Sequence, residues 1–112
     1  MPKFESFETA HGFYAAELHE LSHATGHKSR CNRTQSMEKK LYAAEELVAE
    51  LGASFLCAEF GIDHSASAAS YIDHWMTLLR DDAKCFVRAA SAAQASCDWL
   101  RGKALADVQQ AA

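Results

Sequence analysis

The segment His19-Glu20-Leu21-Ser22-His23 constrains this chain more than any other stretch, because it matches the pattern H-E-x-x-H. On an α-helix, residues four positions apart lie on one face, about 6 Å apart along the axis, so two histidine side chains there can bind one metal ion. Glu20 is turned about 100° around the axis, where its carboxylate can take a proton from a water on that metal. The segment therefore predicts a helix that carries two metal ligands and a catalytic base.

The composition is that of one small folded domain, which we expect to span residues 1–112. The hydrophobic fraction of 49% and the charged fraction of 23% are typical of globular proteins. A net charge of −4 argues against direct DNA binding by this chain alone, and no apolar run is long enough to cross a membrane. The first residues lack the layout of a signal peptide, so we expect a cytoplasmic protein without membrane association.

Hydrophobic periodicity predicts a mainly α fold of four helices. The first helix begins near Phe7, and Gly26 is expected to end it in a left-handed conformation. The second covers about residues 37–60, the third about 67–79, and the fourth begins after Asp81 or Asp82. An extended stub is expected at residues 1–6 and a frayed tail at 103–112. The predicted buried stripe of the first helix consists of Phe7, His11, Tyr14, Leu18, Leu21 and Thr25.

Residues 27–36 form a polar, basic segment without a hydrophobic period, which predicts a loop between the first two helices. One interpretation is a solvated connector. The other is a wall of the active site or an anion-contacting edge, because the segment follows directly after the histidine pair.

The two histidines need a third partner, because catalytic zinc usually has three protein ligands and one position for water. The second helix returns to the first and carries Glu45, Glu46 and Glu50. We predict Glu46 as the third ligand, with Glu45 as the rival for that role. Glu50 lies about one turn after Glu46, and we predict that it bonds a zinc histidine, which fixes the tautomer of that histidine and raises its basicity. The alternative is a solvated acidic face.

Three segments of the chain carry a family resemblance. Residues 13–33 read FYAAELHELSHATGHKSRCNR, residues 42–62 read YAAEELVAELGASFLCAEFGI, and residues 71–94 read YIDHWMTLLRDDAKCFVRAASAAQ. In this order they resemble the zincin-like metallopeptidase domain of ArdC-type antirestriction proteins, which plasmids, phages and other mobile elements encode. The resemblance covers most of the chain.

The resemblance implies a four-helix zincin-like core with a gluzincin-type site, in which His19, His23 and Glu46 bind Zn²⁺ and Glu20 is the catalytic base. Full-length relatives also have an N-terminal domain associated with single-stranded DNA binding and a small β-sheet before the metal helix. This chain retains little or none of that sheet, to whose edge zincins bind extended peptides. We therefore expect an upstream domain or a partner chain. Ala24 replaces an aromatic residue that is frequent in the family.

The expected function is zinc-dependent hydrolysis of a peptide or protein substrate, with Glu20 taking the proton of the attacking water. The developing oxyanion then needs a donor. The alternative is a zinc-stabilised interaction module that binds host restriction or regulatory proteins without cleaving them, and a third interpretation is a helical bundle without metal. The side chains considered for transition-state or substrate contacts are His27, Arg30, Tyr71, His64 and His74.

Overall fold

The computed structural model describes residues 3–33, 39–65 and 69–111, and within these ranges the chain is helical and has no β-strand. A 3-10 turn, Phe4–Ser6, precedes four α-helices. The predicted mainly α, four-helix architecture is confirmed. The helices are α1 (Ala10–Ala24), α2 (Lys39–Phe60), α3 (Ile72–Asp81) and α4 (Ala83–Ala111).

Short polar side chains cap the N-termini of two of the helices. The hydroxyl of Thr9 accepts a hydrogen bond from the backbone N–H of Gly12 at 2.9 Å, and so caps α1. A carboxylate oxygen of Asp82 accepts one from the N–H of Cys85 at 3.1 Å, and so caps α4. Each cap satisfies one of the N–H groups that a helix start leaves without a partner in the helix.

The C-termini of α1 and α2 differ in backbone conformation. Gly61 follows α2 with φ 69°, a left-handed conformation that glycine adopts without steric cost. The expectation of a left-handed Gly26 after α1 is wrong, because Gly61 is the one glycine with positive φ in the described ranges. The N–H of Gly26 instead bonds the carbonyl of His23 at 2.9 Å, so α1 ends in a tighter turn.

Several predicted boundaries shift. The expected extended stub at residues 1–6 contains the turn Phe4–Ser6 instead, and the hydroxyl of Ser6 donates to the carbonyl of Lys3 at 2.7 Å. The C-terminal segment from residue 103 continues α4 through Ala111. The helix that corresponds to the predicted third one is described from Ile72. Its predicted start at residues 67–68, the predicted helix start at residues 37–38 and residues 34–36 of the predicted loop lie outside the described residues.

Helix α2 is the centre of the fold, because it packs against both α1 and α4, and α3 packs against α4. The apolar core lies between α2 and α4. It consists of Leu47, Val48, Leu51, Ala89 and Ala93, with Phe55, Trp75, Leu78 and Phe86 packed against it.

The face of α1 that points inward matches the predicted stripe only in part. Thr25 is buried as predicted, but Tyr14 and Leu21 are 47% and 40% exposed, and Ala15 and Ser22, which lie outside the stripe, are buried. The reason is that the small and polar face of α1 contacts α2, and the hydroxyl of Thr25 finds hydrogen-bond partners inside the protein.

Gly52 on α2 allows this contact to be close. A Cβ atom at Gly52 would lie 2.7 Å from Oγ and 3.2 Å from Cβ of Ser22 on α1, distances that any larger residue would force apart. The close approach brings the histidines of α1 over the glutamates of α2. No helix in the described part of the chain combines the length and the apolar composition that crossing a membrane requires.

Candidate metal centre

His19, His23 and Glu46 converge between α1 and α2, and one donor atom from each lies within 4.8 Å of the others. Nε2 of His23 is 2.9 Å from one carboxylate oxygen of Glu46, and Nε2 of His19 is 3.4 Å from the other. The group could hold a metal ion, because two imidazole nitrogens and a carboxylate oxygen face one point.

The remaining nitrogen of each histidine faces a second glutamate of α2. Nδ1 of His23 is hydrogen-bonded to Glu45 at 2.9 Å. Nδ1 of His19 is 2.7 Å from a carboxylate oxygen of Glu50, in a contact that is less well aligned than the one between His23 and Glu45. Glu45 thus contacts the side of His23 that is turned away from Glu46.

Behind Glu45 lies Arg33, and we call His23, Glu45 and Arg33 the Arg33 arm. Nε of Arg33 donates to one oxygen of Glu45 at 2.8 Å, and Nη2 donates to the other at 3.0 Å. The same guanidinium donates to the hydroxyl of Thr25 at 2.8 Å and to the carbonyl of Ser22 at 2.7 Å. The arm is a continuous hydrogen-bonded chain.

Behind Glu50 lies His64, and we call His19, Glu50 and His64 the His64 arm. Nε2 of His64 is 3.6 Å from the free oxygen of Glu50, which is too long for a hydrogen bond. The loop that carries His64 is held by the N–H of Asp63, which donates to Nδ1 of His11 at 2.7 Å. Both side chains are almost fully buried, with 9% of His64 and 7% of Glu50 exposed.

The carboxylates change the acid–base behaviour of both histidines. Pairing with Glu50 raises the pKa of His19 above its ordinary value against the opposing effect of burial, and Glu45 does the same for the pKa of His23. Burial would raise the pKa of Glu45. The hydrogen bonds from His23 and Arg33 together with the charge of Arg33 outweigh it, so the pKa of Glu45 is lowered.

Two clefts open beside this group. The first, about 360 Å³, is lined by His19, Glu20, Glu50, His64 and Tyr71 together with small and aromatic residues of α1 and the N-terminal segment. Glu20 is exposed on α1 and faces this cleft next to His19. The base predicted from the H-E-x-x-H pattern therefore shares a solvent-accessible space with a histidine of the metal-binding group.

The second cleft, about 340 Å³, is mainly apolar. It lies along Glu46 and Glu50 and is bounded by Tyr71, His74 and Trp75. Tyr71 thus borders both clefts, and its ring stacks on that of Trp75 at 6.4 Å between centroids. Nearby Glu50 raises the pKa of the Tyr71 hydroxyl, followed by the effect of burial.

Two other predicted contact residues lie apart from the clefts. Nδ1 of His27 is 2.8 Å from the hydroxyl of Ser29, within the loop. Arg30 donates to the carbonyl of Ala24 at 2.8 Å, and its guanidinium lies 5.8 Å from the centre of the Trp99 ring. Neither residue lines a cleft with the histidine pair.

The sequence pattern indicates no role at the site for Arg33. It offers Glu45 as a rival metal ligand and not as the partner of Nδ1 of His23. The local signal was present, because Glu45 precedes Glu46 and a basic loop follows α1, but only the folded loop shows which basic residue turns inward.

The residues present fit a zinc ion. Two imidazoles and one carboxylate are a donor set used by catalytic zinc sites. A carboxylate on Nδ1 is the usual outer partner of a zinc histidine, and it leaves the lone pair of Nε2 free for the metal. His19 and His23 both have such a carboxylate, in Glu50 and Glu45.

Comparison with known proteins gives a consistent result. A family model described as a zincin-like metallopeptidase matches residues 1–92. The crystal structure of the antirestriction protein ArdC from the R388 plasmid, in metal-free form, is similar with a TM-score of 0.68 at 43% sequence identity. The similarity covers 90% of this chain and 38% of the ArdC chain.

Curated relatives are also longer than this chain. The protein y4eC of Sinorhizobium fredii is 37% identical over 107 residues, which are 92% of this chain and 35% of y4eC. A DNA primase TraC of Escherichia coli is 37% identical over 103 residues, which are 89% of this chain and 10% of TraC. The chain therefore corresponds to a part of each relative.

Proposed function

Because the chain belongs to the zincin-like metallopeptidase family, we propose that it is a zinc-dependent peptide hydrolase domain. His19, His23 and Glu46 are the proposed zinc ligands. The observation that supports this most directly is the orientation of the two histidines. Their Nε2 atoms face one carboxylate, and their Nδ1 atoms face two others.

Bound zinc would act as a Lewis acid on the scissile carbonyl and lower the pKa of the attacking water. Glu20 is the proposed general base, which takes the proton from this water and returns it to the leaving amine. Its carboxylate is free to do so, since it is exposed in the first cleft beside His19. Glu50 and Glu45 are the proposed partners that hold the histidine tautomers.

The substrate class follows from the relatives only in outline. ArdC is named as an antirestriction protein, and we propose that this domain acts in a related setting on a peptide or protein substrate. Tyr71 is the proposed substrate contact, because it borders both clefts next to Glu46 and Glu50.

Zinc content and cleavage test the function together. Wild-type protein is expected to hold one zinc per chain by elemental analysis, and His19→Ala and Glu46→Ala are expected to lose it. Glu20→Gln is expected to keep zinc and to cleave a panel of unfolded proteins about 10²- to 10⁴-fold more slowly, because it lacks only the base. Glu17→Gln is the control, since Glu17 is on the same helix but does not line the cleft.

A zinc-free wild type would refute the metal site. If wild type binds zinc but Glu20→Gln cleaves at the same rate, the assignment of the base is wrong. If zinc is bound and neither protein cleaves any substrate of the panel, the interaction module becomes the better explanation.

A further inference from the structure

We propose that Arg33 is a positioning residue of the metal centre, which orients the zinc ligand His23 through Glu45. The inference rests on the proposed function, because it takes His23 to be a ligand. It concerns the basic loop after α1, for which the sequence left a solvated connector, a wall of the active site and an anion-contacting edge as alternatives. For Arg33 the structure favours neither the solvated connector nor the anion-contacting edge, because its guanidinium bonds groups inside the protein.

The loop first folds back onto the end of α1. The N–H of Cys31 donates to the carbonyl of Thr25 at 2.8 Å, and the N–H of Arg33 donates to the carbonyl of Gly26 at 2.9 Å. Asn32, between them, has φ 53°, a left-handed conformation that asparagine tolerates better than most residues. This reversal returns the chain to α1 and directs the Arg33 side chain inward.

The guanidinium of Arg33 is then hydrogen-bonded to groups inside the protein. Only 13% of its side chain is exposed, and its guanidinium makes four hydrogen bonds of 2.7 to 3.0 Å. Two go to the two oxygens of Glu45, in the forked geometry that a lysine cannot reproduce. The other two go to Thr25 and to the carbonyl of Ser22. An anion from solution would find few free donors on this side chain.

Glu45 is fixed as a result. One of its oxygens accepts from Nε of Arg33, and the other accepts from Nη2 of Arg33 and faces Nδ1 of His23. With Glu45 ionised and held, the proton of neutral His23 stays on Nδ1, so the lone pair of Nε2 would be available to a metal ion held between His23 and Glu46. Arg33 therefore determines which nitrogen of His23 is available to a metal, without contacting the metal itself.

The same guanidinium joins the metal centre to α4. The hydroxyl of Thr25 accepts from Arg33, donates to the carbonyl of Ser22 at 2.6 Å and lies 2.9 Å from the hydroxyl of Ser96 on α4. Ser22, Thr25 and Ser96 are all fully buried. The neighbouring basic residues differ, because His27, Lys28 and Arg30 are exposed. Arg33 is the member of the basic loop that belongs to the site.

The test is a double-mutant cycle on zinc affinity, measured by competition with a chelator. Arg33→Met is expected to weaken zinc binding about tenfold, at the lower end of the effect of removing an outer partner of a metal ligand. In a Glu45→Gln background the same change is expected to have an effect of less than about twofold, because its route to His23 is already broken. The visible spectrum of the Co²⁺-substituted protein should change in Arg33→Met as well.

Arg101→Met is the matched control. Arg101 also bonds two carboxylates, Glu59 at 2.9 Å and Asp98 at 2.8 Å, but on the surface and away from the histidines. Its zinc affinity and Co²⁺ spectrum should match wild type. If Arg33→Met does not unfold cooperatively, Arg33→Lys replaces it in the cycle. This variant keeps the positive charge but loses the pair of hydrogen bonds to the two oxygens of Glu45. It is expected to weaken zinc binding by a smaller factor than Arg33→Met.

The outcomes separate the two proposals. Wild type that binds zinc, together with folded Arg33 variants of unchanged affinity and spectrum, would overturn the role of Arg33 and leave the metal site intact. An Arg33 effect of equal size with and without Glu45 would show a general structural role, and so would also overturn it. Wild type that binds no zinc would overturn both proposals.

Discussion

The Arg33 arm and the His64 arm each consist of a histidine of the candidate metal centre, a glutamate that faces it and an outer basic residue. They differ in the identity and the hydrogen bonding of that outer residue. In the Arg33 arm every contact is an aligned hydrogen bond, and the last residue is a permanently charged arginine. The His64 arm ends in a histidine 3.6 Å from Glu50. In the His64 arm, four buried atoms lack a hydrogen bond, namely Nδ1 of His19, Oε2 of Glu50 and both ring nitrogens of His64.

The difference follows the position of the two arms. His19, Glu50 and His64 line the first cleft next to Glu20, whereas the members of the Arg33 arm do not. The Arg33 arm, which is fully hydrogen-bonded, thus lies away from the first cleft, between the helices and the basic loop. The His64 arm, which has fewer hydrogen bonds, lines this solvent-accessible cleft. Buried polar atoms without partners are unusual in folded proteins and concentrate where a protein functions.

The largest expected difference between the arms is in stability. In zinc-free protein, Glu45→Ala is expected to lower the free energy of unfolding by about 3 kcal/mol, because it leaves the buried charge of Arg33 without its carboxylate. Glu50→Ala is expected to cost only about 1 kcal/mol, because its partners are histidines that can lose their charge. Urea unfolding in the presence of a chelator measures both.

Glu59→Ala is the control for that comparison, since it breaks an exposed pair with Arg101 that is worth about 0–1 kcal/mol. Equal losses for Glu45→Ala and Glu50→Ala would show that the two arms are energetically equivalent.

A smaller difference is expected at the outer residues. His64→Leu removes a side chain that makes no aligned hydrogen bond, so the free energy of unfolding should change by about 1 kcal/mol or less. Its zinc affinity should fall by about threefold or less, compared with about tenfold for Arg33→Met. Competition with a chelator measures the zinc affinity of both variants relative to wild type. A loss at His64 that matches the one at Arg33 would contradict the distinction between a tight and a loose arm.

The smallest expected effect is the pH dependence of the free energy of unfolding, to which both arms should contribute with the same sign. The pKa of His19 and of His23 is raised in the folded protein above the ordinary value of 6.5, chiefly by Glu50 and by Glu45. A raised pKa stabilises the folded state fully below that ordinary value, and the contribution is lost as the pH rises through the raised pKa. The free energy of unfolding of zinc-free protein should therefore decrease as the pH rises above about 6.5.

Urea unfolding at several pH values checks this slope. Glu45→Gln should remove the part due to His23, and Glu50→Gln the part due to His19. If neither variant reduces the slope, the two carboxylates are not the source of the pH dependence.

The repeat of the α-helix was enough to predict part of this site from the sequence. The spacing of His19 and His23 places both on one face, and the group that could hold a metal in the structure includes Glu46, the predicted third member on the returning helix. Glu50 follows one turn later and faces His19. These relations are local to two helices, so sequence spacing carries them.

Other features depend on tertiary structure and could not be predicted in this way. Apolar periodicity predicts that Tyr14 and Leu21 face inward together with Thr25, but in the structure Ser22 is buried beside Thr25 while Tyr14 and Leu21 are exposed. Arg33 bonds the hydroxyl of Thr25 and the backbone carbonyl of Ser22 on this face. These contacts, and the choice of Arg33 over its basic neighbours, depend on how the loop reverses at residue 32. Periodicity contains no information about such a reversal.

The glycine at position 52 has a consequence for the metal itself. The proposed zinc donors lie on two helices, His19 and His23 on α1 and Glu46 on α2, so their mutual distance depends on how closely the helices pack. Zinc is bound at about 2.0–2.2 Å by nitrogen and oxygen, whereas calcium needs about 2.3–2.6 Å. A methyl group at residue 52 would push against Ser22 and widen the space between the donors. The absence of a side chain at residue 52 thus helps to set the donor spacing, and with it the size of ion that the candidate centre would accept.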